Sequence, residues 1–112
     1  MQSVNIYSPY DLKCEFAVNP IGVDKRNPIF SWKLKHSNKG EKQSAYQIIV
    51  ASSLENISKD FGDMWDTGKV KSSEQIIRYE GKSLEPCKIY YWKVRWWDSK
   101  DHESPYSDIG IF

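Results

Sequence analysis

A run of aromatic and charged residues between Leu84 and Asp98 constrains the fold more than any other segment. Because the side chains of a β-strand alternate between its two faces, counting by twos divides this run into two sets. One set is apolar enough to line a core: Tyr90, Trp92, Val94 and Trp96. The other set mixes charged groups with aromatic rings: Tyr91, Lys93, Arg95 and Trp97. The pattern predicts a long strand over residues 90–98 with one face on a hydrophobic core.

The approach to this strand has the spacing of a tyrosine corner. Leu84, Pro86 and Tyr90 follow the pattern Leu-x-Pro-x-x-x-Tyr. In such a corner the phenol packs inward at the edge of a β-sandwich, and its hydroxyl bonds backbone a few residues upstream. The feature predicts a scaffold and says nothing about chemistry.

The bulk properties limit the classes of partner. The chain has 112 residues, the size of one domain over residues 1–112. Its 16 basic and 15 acidic residues leave a net charge of +1, which gives no electrostatic footprint for nucleic acid or an anionic membrane. Aromatic residues make up 14% of the chain, so a few large rings can fill the thin core between two sheets. We expect neither nucleic acid nor a membrane as partner.

The start of the sequence bears on the location of the protein in the cell, and its end bears on whether the chain is part of a longer polypeptide. Its first residues lack the basic start and apolar middle of a secretion signal, and no apolar stretch reaches the length of a membrane span. We therefore expect a cytoplasmic location, with an extracellular one still open for a trimmed chain. The sequence stops at Phe112, inside the last predicted strand and without a polar tail. That ending favours a domain excised from a longer polypeptide.

Turn residues divide the chain at short intervals, which is typical of an all-β sandwich. The predicted strands cover residues 11–16, 29–36, 43–52, 64–67, 73–79, 90–98 and 108–112. Two of them alternate cleanly, and these side chains should face the core: Phe30, Trp32, Leu34, Tyr46, Ile48 and Val50. On the second strand the opposite parity faces away: Ala45, Gln47 and Ile49. The strand at 73–79 has no settled facing, because Ile76 and Ile77 are adjacent. Ser52 and Glu55 form a capping-box pattern that predicts one short helix over residues 54–61.

The residues that could carry chemistry have ordinary structural explanations. Cys14 and Cys87 form no CxxC pair, and two reduced thiols are expected, although pairing stays open. His36 and His102 are predicted to be surface residues. Four acids fall at strand ends or in loops, where they are typical turn formers and solvated charges: Asp63, Asp66, Asp98 and Asp101. Residues 98–103 lack the spacing of a calcium loop and favour a solvated hairpin. We therefore expect no catalytic, metal-binding or cofactor-binding residue.

Three segments, residues 11–34, 43–70 and 90–107, carry a more specific resemblance. Residues 43–48 read Gln-Ser-Ala-Tyr-Gln-Ile, and residues 65–70 read Trp-Asp-Thr-Gly-Lys-Val. Together the three segments resemble the N-terminal fibronectin-type-III-like domain of bacterial α-L-rhamnosidases, a glycoside hydrolase family. The resemblance covers nearly the whole chain, from about Asp11 to Phe112. It implies an immunoglobulin-like or fibronectin type III sandwich of about seven strands with one short helical insertion.

The resemblance also implies that this chain performs no reaction. In that family the glycosidic bond is cut with inversion by two carboxylates of a helical barrel much further along the polypeptide, and no segment here matches them. The expected role is an accessory domain that packs against later domains of the same polypeptide. Two other classes stay open: an independent carbohydrate-binding module, and a generic fibronectin-type adhesion module.

The outward side chains of the long strand are the candidate functional residues. Tyr91, Arg95 and Trp97 could form a solvated face, a contact with a neighbouring domain, or a platform for a rhamnosylated glycan. Arg95 between two aromatic rings could stack by cation–π contact. Trp65, on a predicted edge strand, raises the same question, and packing under a neighbouring loop is favoured over exposure.

Overall fold

The computed structural model describes residues 5–15, 27–37, 40–85 and 88–112. Within these residues the chain forms eight strands and one short helix. The strands are β1 (Tyr10–Cys14), β2 (Ile29–Lys33), β3 (Ala45–Ala51), β4 (Trp65–Asp66), β5 (Val70–Lys71), β6 (Ile76–Arg78), β7 (Tyr91–Trp97) and β8 (Gly110–Ile111). The helix α1 (Leu54–Ser58) lies between β3 and β4. No helix of the described part of the chain is long and apolar enough to cross a membrane.

The strands form two antiparallel sheets, which confirms the prediction of an all-β sandwich. One sheet has the order β1-β2-β6, and the other has the order β4-β3-β7-β8 with β5 also paired to β3. The central pair, β3 and β7, is in register from Ala45 opposite Trp97 to Ala51 opposite Tyr91. Gly68 adopts a φ of +63° between β4 and β5, a conformation that favours glycine. This turn allows β5, a strand that the sequence pattern does not predict.

Large side chains from both sheets fill the space between them, as the alternation predicts. This core contains Phe30, Trp32, Tyr46, Ile48, Val50, Tyr90, Trp92, Val94 and Phe112. The Phe30 ring lies 4.4 Å from the Trp92 ring and 5.2 Å from the Phe112 ring, centroid to centroid. Leu34 is partly buried and packs against the same cluster. Aromatic rings therefore make up much of the thin core.

The tyrosine corner is confirmed where the structure describes it. The Tyr90 ring is buried and stacks on Phe112 at 5.7 Å. Its hydroxyl oxygen accepts a hydrogen bond of 2.8 Å from the backbone N–H of Glu85. Pro86, the middle residue of the motif, lies outside the described residues. The corner fixes the point at which the chain enters β7.

A second, smaller core lies on the other side of β3. Ile49 and Ala51 face away from the space between the sheets, as their parity predicts, but both are fully buried. They pack with Ile57 of α1, and the half-buried side chains of Tyr91 and Tyr106 cover them. The short helix therefore covers the outer face of the larger sheet.

The predicted helix cap is wrong by one residue. The Ser53 hydroxyl oxygen, and not that of Ser52, accepts a hydrogen bond of 3.1 Å from the Asn56 N–H. Ser52 is engaged elsewhere, because its N–H and its hydroxyl both donate to the Asp63 carboxylate, at 2.9 and 2.5 Å. The helix also ends at Ser58, three residues earlier than predicted.

Three remaining predictions concern β2, β6 and the cysteines. β2 ends at Lys33, and His36 instead bridges to Ile6 of the N-terminal segment. On β6, Ile77 packs on the core while Ile76 is exposed, which settles the facing of that strand.

Cys14 is a buried free thiol whose pKa is raised by burial to about 12, whereas Cys87 lies outside the described residues.

Candidate functional site

The outer face of β7 carries the predicted candidate residues. Tyr91, Lys93, Arg95 and Trp97 point away from the space between the sheets. Two of them are nevertheless buried, because Lys93 keeps only 7% of its accessible surface and Trp97 only 6%. Tyr91 and Arg95 are half-buried. Trp97 is therefore no open aromatic platform on this domain.

Residues 103–107 account for this burial, because they run alongside β7. The backbone N–H groups of Ser104 and Ser107 donate to the carbonyls of Trp96 and Val94, at 2.9 and 2.8 Å. The Ser104 hydroxyl oxygen accepts the Trp96 N–H at 3.0 Å, and the Ser107 hydroxyl oxygen accepts the Val94 N–H at 3.1 Å. The segment therefore satisfies the backbone of β7 and brings Tyr106 onto its outer face.

Cations and aromatic rings alternate across this face in a row that we call the cation–aromatic ladder: Lys69, Trp97, Arg95, Tyr106 and Lys93. The Lys69 ammonium lies 4.9 Å from the Trp97 ring centroid. The Arg95 guanidinium lies 5.3 Å from the Trp97 ring and 4.5 Å from the Tyr106 ring. The Lys93 ammonium lies 4.6 Å from the Tyr106 ring. The predicted stacking of Arg95 is thus present, but its second ring is Tyr106 and not Tyr91.

Each cation of the ladder also has an acidic partner. Lys69 pairs with Asp101 at 2.5 Å, Arg95 pairs with Glu103 at 3.0 Å, and Lys93 pairs with Asp60. Partly desolvated cation–π contacts are each worth about 1–2 kcal/mol, so the ladder rigidifies the face that it covers.

The ladder continues through an amide to the edge of the sheet. The Gln47 side-chain oxygen accepts from Arg95 Nε at 2.9 Å, and its amide nitrogen donates to the Asp66 carboxylate at 2.9 Å. The Asp66 carboxylate oxygen also accepts the Gly68 N–H. The outer face of β7 and the end of β4 are thus joined by one polar chain.

A second cluster, centred on Asp98, contradicts two predictions from sequence. The Asp98 side chain is 2% exposed, and one of its carboxylate oxygens lies 2.9 Å from both His36 Nε2 and His102 Nδ1. The other oxygen accepts the backbone N–H groups of Lys100 and His102. Asp98 is therefore no solvated turn residue, and His36 is buried, whereas His102 is half exposed, at 48%.

The sequence does indicate one feature of this cluster, the turn that begins at Asp98. Asp98 bonds the N–H two residues later, the pattern of an Asx turn, which a loop beginning Asp-Ser-Lys favours. No local sequence pattern indicates that His36 contacts Asp98, since the two residues lie 62 positions apart in the chain. Within the described residues, no group of three or more His, Cys, Asp or Glu side chains could hold a metal ion.

The Asp98 cluster predicts a loss of stability in acid. Burial raises the pKa of the Asp98 carboxyl, but hydrogen bonds from His102, His36 and Lys100 outweigh it and hold the pKa at about 2, below the ordinary 3.8. Ionised Asp98 therefore stabilises the fold above about pH 4, and this contribution, about 2 kcal/mol, is lost as the pH falls toward about 2. Urea unfolding between about pH 6 and 2.5 measures it. An Asp98→Asn variant should lose this part of the pH dependence, and an identical profile in that variant would contradict the assignment.

A shallow groove of about 460 Å³ lies at the end of β4. Its lining includes Phe61, Met64, Trp65, Gly81 and Lys82. Trp65 is half-buried and packs edge-on against Tyr79 at 5.2 Å, so the favoured prediction that it packs is confirmed. The Phe61 ring is 58% exposed.

Residues 9–112 match the family model described as the Rha78A-like, N-terminal immunoglobulin domain. An α-L-rhamnosidase of Formosa agariphila is 44% identical over 95 residues, which cover 84% of this chain and 10% of that protein. The solved structure of α-L-rhamnosidase from Dictyoglumus thermophilum is 71% identical, with a TM-score of 0.95, over 99% of this chain and 12% of that one. The Streptomyces avermitilis α-L-rhamnosidase complexed with L-rhamnose is 35% identical, with a TM-score of 0.83, over 97% of this chain and 10% of that one. The chain thus spans about a tenth of the length of these relatives.

Proposed function

The chain belongs to the Rha78A-like N-terminal immunoglobulin domain family, and from that membership we propose that it is the non-catalytic accessory domain of an α-L-rhamnosidase. The longer polypeptide would hydrolyse terminal α-L-rhamnosides with inversion, in a part that follows this domain. The observation that carries the proposal is the match over almost the whole chain to proteins named α-L-rhamnosidase. This domain would serve by packing against later domains.

The carboxylates of the domain support a non-catalytic role. Inverting glycoside hydrolysis needs two carboxyl groups about 6.5–9.5 Å apart across a sugar-sized pocket. Asp98 is buried between two histidines, and Asp63 is held by Ser52. Asp66 and Asp101 are held by Gln47 and Lys69. These acids, which the sequence offered as candidates, are thus engaged in holding loops and strand ends together.

The outer face of β7 is the proposed contact with the following domains. Tyr91 and Arg95 are half-buried and keep surface that a partner could cover. Trp97 would contribute indirectly, because its ring lies against the Arg95 guanidinium and holds it in place within the ladder. Because the ladder already fixes the Arg95 side chain, little conformational entropy would be lost on contact.

The burial of Trp97 weakens the alternative of an independent carbohydrate-binding module. A sugar-binding platform needs an open ring, and the Trp97 ring lies under two cations and the segment that contains Tyr106. The accessory role needs no such opening.

Activity measurements on two proteins test the proposed function. The polypeptide that contains this domain and the isolated 112-residue chain are assayed side by side on an aryl α-L-rhamnoside. We expect hydrolysis by the longer polypeptide and none by the isolated chain. Hydrolysis by the isolated chain would contradict the non-catalytic role. A native protein of only 13.1 kDa, or a longer one inactive on rhamnosides, would contradict the parentage.

A further inference from the structure

The groove at the end of β4 is an apolar surface that the ladder does not use. Its most prominent group is the Phe61 ring, which projects from the turn after α1. Met64 and the half-buried Trp65 form the neighbouring wall, and Gly81 faces them. Exposed large rings beside a concave apolar wall are typical of a contact surface.

The groove is preformed, because hydrogen bonds connect the loop that contains Met64 to the loop that contains Lys82. The Tyr79 hydroxyl lies 2.5 Å from the Lys82 carbonyl and 3.3 Å from the Met64 carbonyl. The Lys82 N–H donates to the same Met64 carbonyl at 2.9 Å. A Cβ at Gly81 would lie 2.5 Å from the Trp65 Cβ, so only glycine lets the loops approach this closely.

The polar groups around the groove favour a polypeptide over a saccharide. The Asp63 carboxylate is occupied by the N–H and hydroxyl of Ser52, and one Asp66 oxygen is occupied by Gln47 and Gly68. A saccharide would bring several hydroxyl groups to a site with few free partners.

We infer that this groove receives an apolar side chain from a later part of the same polypeptide. The inference rests on the proposed function, under which this domain is a small part of a much longer polypeptide; the chain covers only 10–12% of its relatives. The groove is also continuous with the proposed contact face, because Asp66 lines it and bonds Gln47 of the polar chain to Arg95. One partner surface could therefore cover both.

Thiol labelling tests the inference in the longer polypeptide and in the isolated chain. Phe61→Cys and Lys82→Cys place reporters in the groove, and Leu54→Cys is the matched control, since Leu54 is 53% exposed on α1 and does not line the groove. Maleimide labelling is followed by peptide-resolved mass spectrometry, which separates each reporter from Cys14 and Cys87. We expect both groove reporters to label at least about tenfold more slowly in the longer polypeptide than in the isolated chain, equivalent to about 1.4 kcal/mol, and Leu54→Cys to label equally fast in both.

Two results would overturn the inference. One is equal labelling of Phe61→Cys in the longer polypeptide and in the isolated chain. The other is protection of Phe61→Cys in the isolated chain by added L-rhamnose, which would assign the groove to a saccharide. Labelling does not depend on catalysis. An unprotected groove in an active rhamnosidase therefore refutes this inference alone, and a protected groove in a polypeptide inactive on rhamnosides refutes only the proposed activity.

Discussion

Replacing Trp92 by alanine should lower the free energy of unfolding by about 3–5 kcal/mol, which is enough to unfold a marginally stable domain. The Trp92 side chain is fully buried between the two sheets, where it contacts the Phe30 ring. Gly110 of β8 packs directly on the indole, since a Cβ there would lie 2.4 Å from Trp92 Nε1. Alanine would therefore leave a cavity that the sheets cannot close.

Urea unfolding followed by circular dichroism measures this effect, and Ile76→Ala is the control. Ile76 is an apolar strand residue that is 56% exposed, so its truncation should change the free energy of unfolding by no more than about 0.5 kcal/mol. If Trp92→Ala and Ile76→Ala unfold at the same urea concentration, Trp92 does not hold the core together.

The second large effect is expected from Asp98→Ala, which should lower the free energy of unfolding by about 3 kcal/mol at neutral pH. The variant removes a buried carboxylate that holds two histidine rings and two backbone N–H groups in place. Buried polar groups that lose their partner retain the full cost of desolvation.

Thermal unfolding near pH 7 measures the effect of Asp98→Ala, with Asp108→Ala as the matched control. Asp108 is exposed on the neighbouring loop, so its variant should unfold close to the parent temperature. Equal melting temperatures for Asp98→Ala and Asp108→Ala would show that the cluster contributes nothing to stability.

Side-chain alternation made the larger part of the fold predictable. The facing of residues along β3 and β7 follows from backbone geometry within a strand, so Ile48, Val50, Trp92 and Val94 could be placed in the core from the sequence. The tyrosine corner was equally local, because its partners Glu85 and Tyr90 are five residues apart. Features set by a strand or a single turn are thus readable in the sequence.

Features that depend on distant segments were not predictable in the same way. Facing outward does not decide exposure, and Trp97 is buried because residues 103–107 return alongside β7 and Lys69 reaches over its ring. The alternation pattern contains no information about that return. The cap at Ser53 was missed for a similar reason, since Ser52 is drawn away by Asp63 from 11 residues further along.

The central claim, a non-catalytic domain that supports the rest of its polypeptide by packing, is tested most directly by removing it. The polypeptide with and without residues 1–112 is assayed for rhamnosidase activity at low temperature and then for the temperature at which that activity is irreversibly lost. We predict that the shortened protein retains catalytic turnover at low temperature and loses activity at a lower temperature than the intact one. A shortened protein that stays folded but has no turnover would show that catalysis requires this domain. An unchanged inactivation temperature would show that the domain does not stabilise its neighbours; either result contradicts the account.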